Sequence, residues 1–186
     1  AEKAADTLLT LMPAAGHMVH MPGHIYQRVG RYADAMRAIE LAIAADEDYI
    51  AQCRAEGLYP MGYYPHNIHF LWFAATFDGQ SRVAIESARK VAAKIDDETL
   101  KVAPMLAGFR VVPSYALTRF GRWEEMLREP EPPAFSAVLR ATWHYARGLA
   151  LVATGRLDAA AAELASLQGL MSDESMKQPL FSPNLA

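Results

Sequence analysis

The stretch Val29-Gly30-Arg31-Tyr32-Ala33-Asp34-Ala35 places a glycine between two segments with helical periodicity. The same arrangement recurs at Gly79, Gly121 and Gly155, where an apolar segment ends and another helix-forming segment begins within a residue or two. Glycine adopts the left-handed conformation that ends a helix at little steric cost, so the chain can fold back at each position. Helix pairs repeated at intervals of about 34 to 50 residues are typical of helical-repeat proteins.

The composition agrees with a folded helical chain. Of the 186 residues, 52% are hydrophobic and 21% are charged, as is usual for a globular protein. Apolar residues recur every three to four positions, and no stretch alternates as a strand would. The net charge of −3 argues against a nucleic-acid partner, and no apolar run has the length of a membrane span. We therefore expect a soluble all-α protein, in either the cytoplasm or the periplasm.

The residues around Gly30 resemble the tetratricopeptide repeat (TPR) family. Gly23 falls on the small residue of that repeat, Tyr26 on its aromatic residue, and Ala35 and Ala42 on its helix-crossing alanines. The same register places the repeats near residues 16–49, 65–98, 107–133 and 141–174. The resemblance implies one TPR-like domain over residues 1–186, in which antiparallel helix pairs stack into a superhelical array.

Two parts of the chain depart from a regular array. The second helix of the third repeat, Trp123 to Arg128, is cut short by Pro130 and the prolines after it, so this repeat is degenerate. Residues 1–12 are predicted to form a helix that packs on an upstream repeat, since the first residues read like a helix interior. The chain is therefore expected to be a fragment of a longer protein.

Two short clusters contain five of the six histidines: His17, His20 and His24, then His66 and His69. Spacings of three and four place each cluster on one face of a helix. The TPR resemblance implies that both faces line one concave groove, and neighbouring helices lie about 8–10 Å apart. Imidazole suits zinc, copper or iron, so all five are candidate ligands of a transition metal. Alternatively, the histidines bind an acidic peptide or hydrogen-bond one another.

Aromatic residues surround the second histidine cluster. We consider two interpretations: repeat packing, or a groove wall that binds a peptide, a protein or a small molecule. The candidate ligand-binding residues are Tyr26, Tyr63, Tyr64, Asn67 and Phe73. The run of residues 59–65 is apolar for a surface linker, so we expect it to fold over the groove mouth.

Other notable residues have simpler interpretations. Residues 46–48, all acidic, are expected to be solvated, unless their carboxylates join a metal site. His144 is predicted to be structural, and Cys53 to be a small buried residue. Pro22 should kink its helix or begin a new one, whereas Pro65 should lie in the first turn of its helix.

The stretches His20–Tyr32 and Tyr64–Leu71 also resemble a group of longer bacterial TPR proteins of uncharacterised function. That resemblance implies further repeats before the histidine region, but no reaction. The sequence contains no phosphate-binding loop, nucleophile elbow or paired catalytic carboxylates. Two main hypotheses therefore stand: a TPR-type binding scaffold, or a metal-binding protein or metal-dependent enzyme. A structural assembly subunit is a weaker third, and the oligomeric state is left open.

Overall fold

The computed structural model describes residues 1–54 and 62–177, and within these ranges every regular element is helical. The all-α prediction is therefore confirmed for the described chain. The helices are α1 (Glu2–Leu11), α2 (Gly16–Arg28), α3 (Tyr32–Cys53), α4 (Tyr64–Asp78), α5 (Ser81–Ala92), α6 (Asp97–Val102), α7 (Ala107–Arg110), α8 (Val112–Arg119), α9 (Trp123–Arg128), α10 (Ala137–Ala153) and α11 (Leu157–Leu170), with 3₁₀ turns at Pro104–Leu106 and Glu174–Lys177. None of these helices combines the length and the apolar character that crossing a membrane requires.

The four predicted glycine turns have the expected backbone conformation. The φ angles are +81° at Gly30, +77° at Gly79, +63° at Gly121 and +76° at Gly155. Each turn lies between two helices that pack on each other: α2 on α3, α4 on α5, α8 on α9 and α10 on α11. A glycine in the left-handed conformation therefore ends the first helix of each pair and lets the chain fold back into the second.

Contacts divide the chain into two compact units, Ala1–Lys94 and Ile95–Ala186. In the first unit, α1 packs on α2, α2 on α3, α3 on α4, and α4 on α5. The buried face of α3 includes Ala35, Ala38, Ile39 and Ala42, which are inaccessible to solvent. Helices α2 and α4, which carry the two histidine clusters, both pack on α3 and therefore belong to the same unit.

The second unit contains α6 to α11, with α10 packed against α8, α9 and α11. As predicted, α9 has the bounds Trp123–Arg128. His144 of α10 is buried, and its Nδ1 lies 2.6 Å from Glu163 Oε2, while Arg147 Nε donates to Glu163 Oε1 at 3.0 Å. These contacts join α10 to α11, in agreement with the predicted structural role.

Several local predictions are confirmed, one of the two alternatives for Pro22 is excluded, and the prediction for Cys53 is wrong. Pro65 lies in the first turn of α4, and residues 2–11 form the expected first helix. No new helix begins at Pro22, because α2 continues through it. Cys53 is exposed rather than buried, since it lies at the C-terminal end of α3. Residues 59–65, which we expect to fold over the groove mouth, lie in part outside the residues that the structure describes. The single TPR-like domain and the upstream repeats stay predictions.

Candidate metal centre

Three histidines from two helices meet in one group. One ring nitrogen from each of His20, His24 and His66 lies within 4.8 Å of the other two. The ring centroid of His20 is 5.0 Å from that of His24 and 5.0 Å from that of His66, and the Nε2 atoms of His20 and His24 are 3.2 Å apart. Both predicted clusters thus contribute to the three-histidine group, which joins α2 to α4.

The other two predicted ligands, His17 and His69, lie beside this group rather than in it. The exposed ring of His17 contacts His20 edge-on at 4.9 Å and Tyr63 at 5.5 Å, measured between centroids. The buried ring of His69 lies 5.0 Å from the ring of Trp72. His17 therefore lies next to the group on the solvent side, whereas His69 packs among the aromatic side chains of α4.

Gly23 permits the close approach of α2 to its neighbours. A Cβ atom there would lie 3.0 Å from Ile39 Cδ1 and 3.1 Å from Phe70 Cε1. Phe70 in turn stacks on the His24 ring, with centroids 4.6 Å apart. The small residue suggested by the repeat pattern thus brings the histidine face of α2 against α4.

The histidine group is electrostatically suited to remain neutral. Burial, together with repulsion from the neighbouring histidines, lowers the pKa of His20 to about 3, although the Asn67 side chain acts in the opposite direction. Burial also lowers the pKa of His66 and of His69 to about 4, and lowers that of His24. These rings are therefore uncharged at neutral pH, which is the form that binds a metal ion.

The candidate ligand-binding residues have different environments. Tyr26 and Tyr64 are buried, and their hydroxyls donate to Asp6 at 2.8 Å and to Glu47 at 2.6 Å. These hydroxyls consequently stabilise packing between helices.

The three remaining candidates lie close to the histidines. Asn67 is buried. Tyr63 is exposed, and its ring contacts that of His17. Phe73 is partly buried against Phe70, with ring centroids 6.2 Å apart. Tyr63 is consequently the one of these three that a ligand reaches directly from solvent.

Asp46 corrects the expectation that residues 46–48 are all solvated. Its exposure is 0%, and Asn67 Nδ2 donates to its Oδ2 at 2.6 Å. The helical period of α3 indicates that Asp46 is buried, because Asp46 follows Ala35, Ala42 and Ile43 on the same face of the helix. Position in that series, rather than the acidic neighbours, identifies it as an internal residue.

Comparisons with known proteins supply no relative. No protein-family model matches the chain, and neither the curated proteins nor the solved structures include a significant match. The functional argument therefore rests on the geometry of the histidine group.

Proposed function

We propose that this chain is a metal-binding protein built on a TPR-like arrangement of helix pairs. His20, His24 and His66 would hold one divalent transition-metal ion. The observation that carries the proposal is the convergence of three imidazole nitrogens, from two helices, within 4.8 Å of one another.

The distances support a shared ion. Metal–nitrogen bonds of about 2.0–2.1 Å in a tetrahedral zinc site place two ligand nitrogens roughly 3.3 Å apart. The Nε2 atoms of His20 and His24 are 3.2 Å apart, and the candidate ligand nitrogens of all three rings lie within 4.8 Å of one another. Three neutral histidines leave one tetrahedral position open for water or another ligand, which is the coordination of catalytic zinc sites.

The burial of the rings also supports a bound ion. His20 Nδ1 and His66 Nδ1 are buried and have no hydrogen bond of standard geometry. An unsatisfied buried polar atom costs about 1–3 kcal/mol, and the free energy of binding an ion through the remaining ring nitrogens would offset this cost in the folded state. Imidazole ligands favour zinc, copper, iron or nickel over calcium or magnesium.

Metal analysis of protein purified without a polyhistidine tag tests the proposal. We expect one tightly bound zinc ion per chain after loading and dialysis, and its loss in the double variant His24→Ala/His66→Ala. His144→Gln, in the other unit, provides a control that should bind zinc like the unmodified protein. Stoichiometric binding that survives the double change would refute the three-histidine site.

A second candidate function is a binding scaffold for a peptide, a protein or a small molecule. The exposed aromatic ring of Tyr63 beside His17 favours it, because aromatic side chains at a binding surface supply much of the contact energy. The two functions are compatible, since a ligand of the ion would pass these side chains. A protein that binds no metal but loses ligand binding in Tyr63→Ala would favour the scaffold alone.

A further inference from the structure

A buried hydrogen bond beside the histidine group joins a carboxyl group on α3 to an amide on α4. Asp46 and Asn67 are 0% and 1% exposed, and Asn67 Nδ2 donates to Asp46 Oδ2 at 2.6 Å. Burying a carboxyl group in this way is costly unless its polar atoms are hydrogen-bonded. Its position one side chain away from a candidate metal ligand calls for a functional explanation.

The carboxylate determines which way the Asn67 amide faces. An ionised carboxylate can only accept hydrogen bonds, so the amide nitrogen must face Asp46 and the amide oxygen must face away from it. Asn67 Oδ1 and His20 Nδ1 are both buried, and neither has a hydrogen bond of standard geometry. A side-chain interaction with Asn67 raises the pKa of His20 against the effect of burial, which places the two side chains next to each other. The two unsatisfied atoms are therefore each other's natural partners.

We propose that Asp46 and Asn67 are positioning residues that hold His20 in the tautomer with its proton on Nδ1. The Nδ1–H group would donate to Asn67 Oδ1, which leaves the Nε2 lone pair directed at the metal. The inference rests on the proposed metal-binding function and adds residues that select the ligand atom. Outer hydrogen bonds of this kind fix the tautomer and orientation of metal-binding histidines in general.

The same assignment determines the direction of the hydrogen bond between His20 and His24. Because His20 Nε2 carries a lone pair, His24 Nε2 must donate across the 3.2 Å contact in the metal-free protein. When both Nε2 atoms bind a metal, the proton of His24 moves to Nδ1 through solvent and the ring stays neutral. Metal binding therefore exchanges this hydrogen bond for two coordination bonds without a net loss of a proton from either ring.

Gly16 explains why the carboxylate can reach its position. A Cβ atom at Gly16 would lie 1.8 Å from Asp46 Oδ1, so the glycine leaves room for the carboxylate at the first residue of α2. The first N–H groups of a helix have no partner within the helix and favour an oxygen atom nearby. Asp46 thus directs one oxygen to the start of α2 and the other to Asn67 on α4.

We call the proposed series of hydrogen bonds from Asp46 through Asn67 to His20 the relay. The isosteric variant Asp46→Asn tests it. The amide oxygen of the new side chain at position 46 would stay at the start of α2, so the amide nitrogen at position 46 would face Asn67. The Asn67 amide would then turn to accept from this nitrogen, and it would present its own nitrogen to His20. We expect zinc affinity, measured by competition with a chelator, to fall about 10- to 100-fold. Glu47→Gln is the matched control, because this neighbouring carboxylate binds Tyr64 and Lys90 instead, and it should keep zinc affinity unchanged.

The exchanged variant Asp46→Asn/Asn67→Asp provides a rescue. The new amide at position 46 would donate to the new carboxylate at position 67, which would accept from His20 Nδ1 as the asparagine did. Zinc affinity should return to within a few-fold of that of the unmodified protein. If both variants lose affinity equally, Asp46 and Asn67 support only the packing, and the relay is refuted.

Imidazole ¹⁵N NMR of the metal-free protein separates this inference from the proposed function. His20, assigned through the loss of its signals in His20→Gln, should show the proton on Nδ1 in the unmodified protein and in the exchanged variant. Asp46→Asn should shift the proton to Nε2. That pattern would support the relay even if the protein bound no zinc, which would refute only the metal site. A proton on Nε2 in the unmodified protein would overturn the relay even if zinc bound tightly.

Discussion

Acidification should destabilise the Ala1–Lys94 unit through its buried histidines. An unfolded histidine has a pKa of about 6.5, whereas burial lowers the pKa of His20 to about 3 and that of His69 to about 4. The unfolded chain therefore binds more protons than the folded chain between these values. The stability that the neutral rings contribute is fully present above pH 6.5 and is lost as the pH falls, down to about 4 for His69 and about 3 for His20.

The size of the effect follows from the difference in pKa. At pH 5 a histidine that stays neutral in the folded state and is protonated when unfolded costs about 2 kcal/mol. His20 and His69 together should therefore lower the free energy of unfolding by about 4 kcal/mol between pH 7.5 and pH 5. Asp6 and Glu47 have pKa values below 3.8 and 4.5 because of their hydrogen bonds, so these carboxylates stay ionised over this range.

Urea unfolding followed by circular dichroism, with a chelator present, measures this dependence. His20→Gln and His69→Gln should each reduce the loss of stability between the two pH values by about 2 kcal/mol. Met21→Gln, at an exposed position of α2, controls for the change of side chain alone. A free energy of unfolding that changes by less than about 1 kcal/mol between pH 7.5 and pH 5 would refute the argument that burial keeps these rings neutral.

Three further predictions concern the packing around the site. Gly16→Ala should destabilise the protein by about 2–3 kcal/mol in urea unfolding and weaken zinc binding, because its methyl group would displace the buried Asp46 carboxylate. Gly79→Ala should cost only about 1–2 kcal/mol from its left-handed φ of +77° and leave zinc affinity unchanged, since its methyl group would meet no atom within 4 Å. Tyr26→Phe should lower stability by about 1 kcal/mol, because it removes the 2.8 Å hydrogen bond to Asp6, and differential scanning calorimetry would detect the lower Tm.

The helix pairs could be predicted from sequence because their signals are local. A glycine that needs a positive φ sets the turn at Gly30 whatever packs around it, and the prolines after α9 end that helix regardless of its partners. The TPR-like stacking of the pairs stays a prediction, since it depends on contacts between distant parts of the chain.

The candidate site could be predicted only in part. The helical spacing of the histidines placed each cluster on one face, and three of the five converge in the structure. Spacing could not separate His66 from His69, because both lie on α4 and differ only in what packs against them. The prediction that Asp46 is solvated is wrong because it followed the acidic neighbours instead of the helical period of α3; only the contacts with Asn67 and Gly16, which are distant in sequence, lay beyond a prediction from spacing.

Burying the side chains of the histidine group costs more free energy than burying apolar side chains of similar volume would. Leucine or phenylalanine would occupy similar volumes without polar atoms to satisfy, whereas His66 Nδ1 is buried without a hydrogen bond of standard geometry, and His20 Nδ1 has only the buried Asn67 amide as a proposed partner. Packing between α2 and α4 does not require such residues, because Phe70 already stacks on His24 across the same interface. A site that binds only the folded state gains about 2.7 kcal/mol of stability when its ligand is present at 100 times the dissociation constant. A metal ion at this position would therefore offset the cost of the buried imidazoles, which makes coordination a stronger explanation of the cluster than packing.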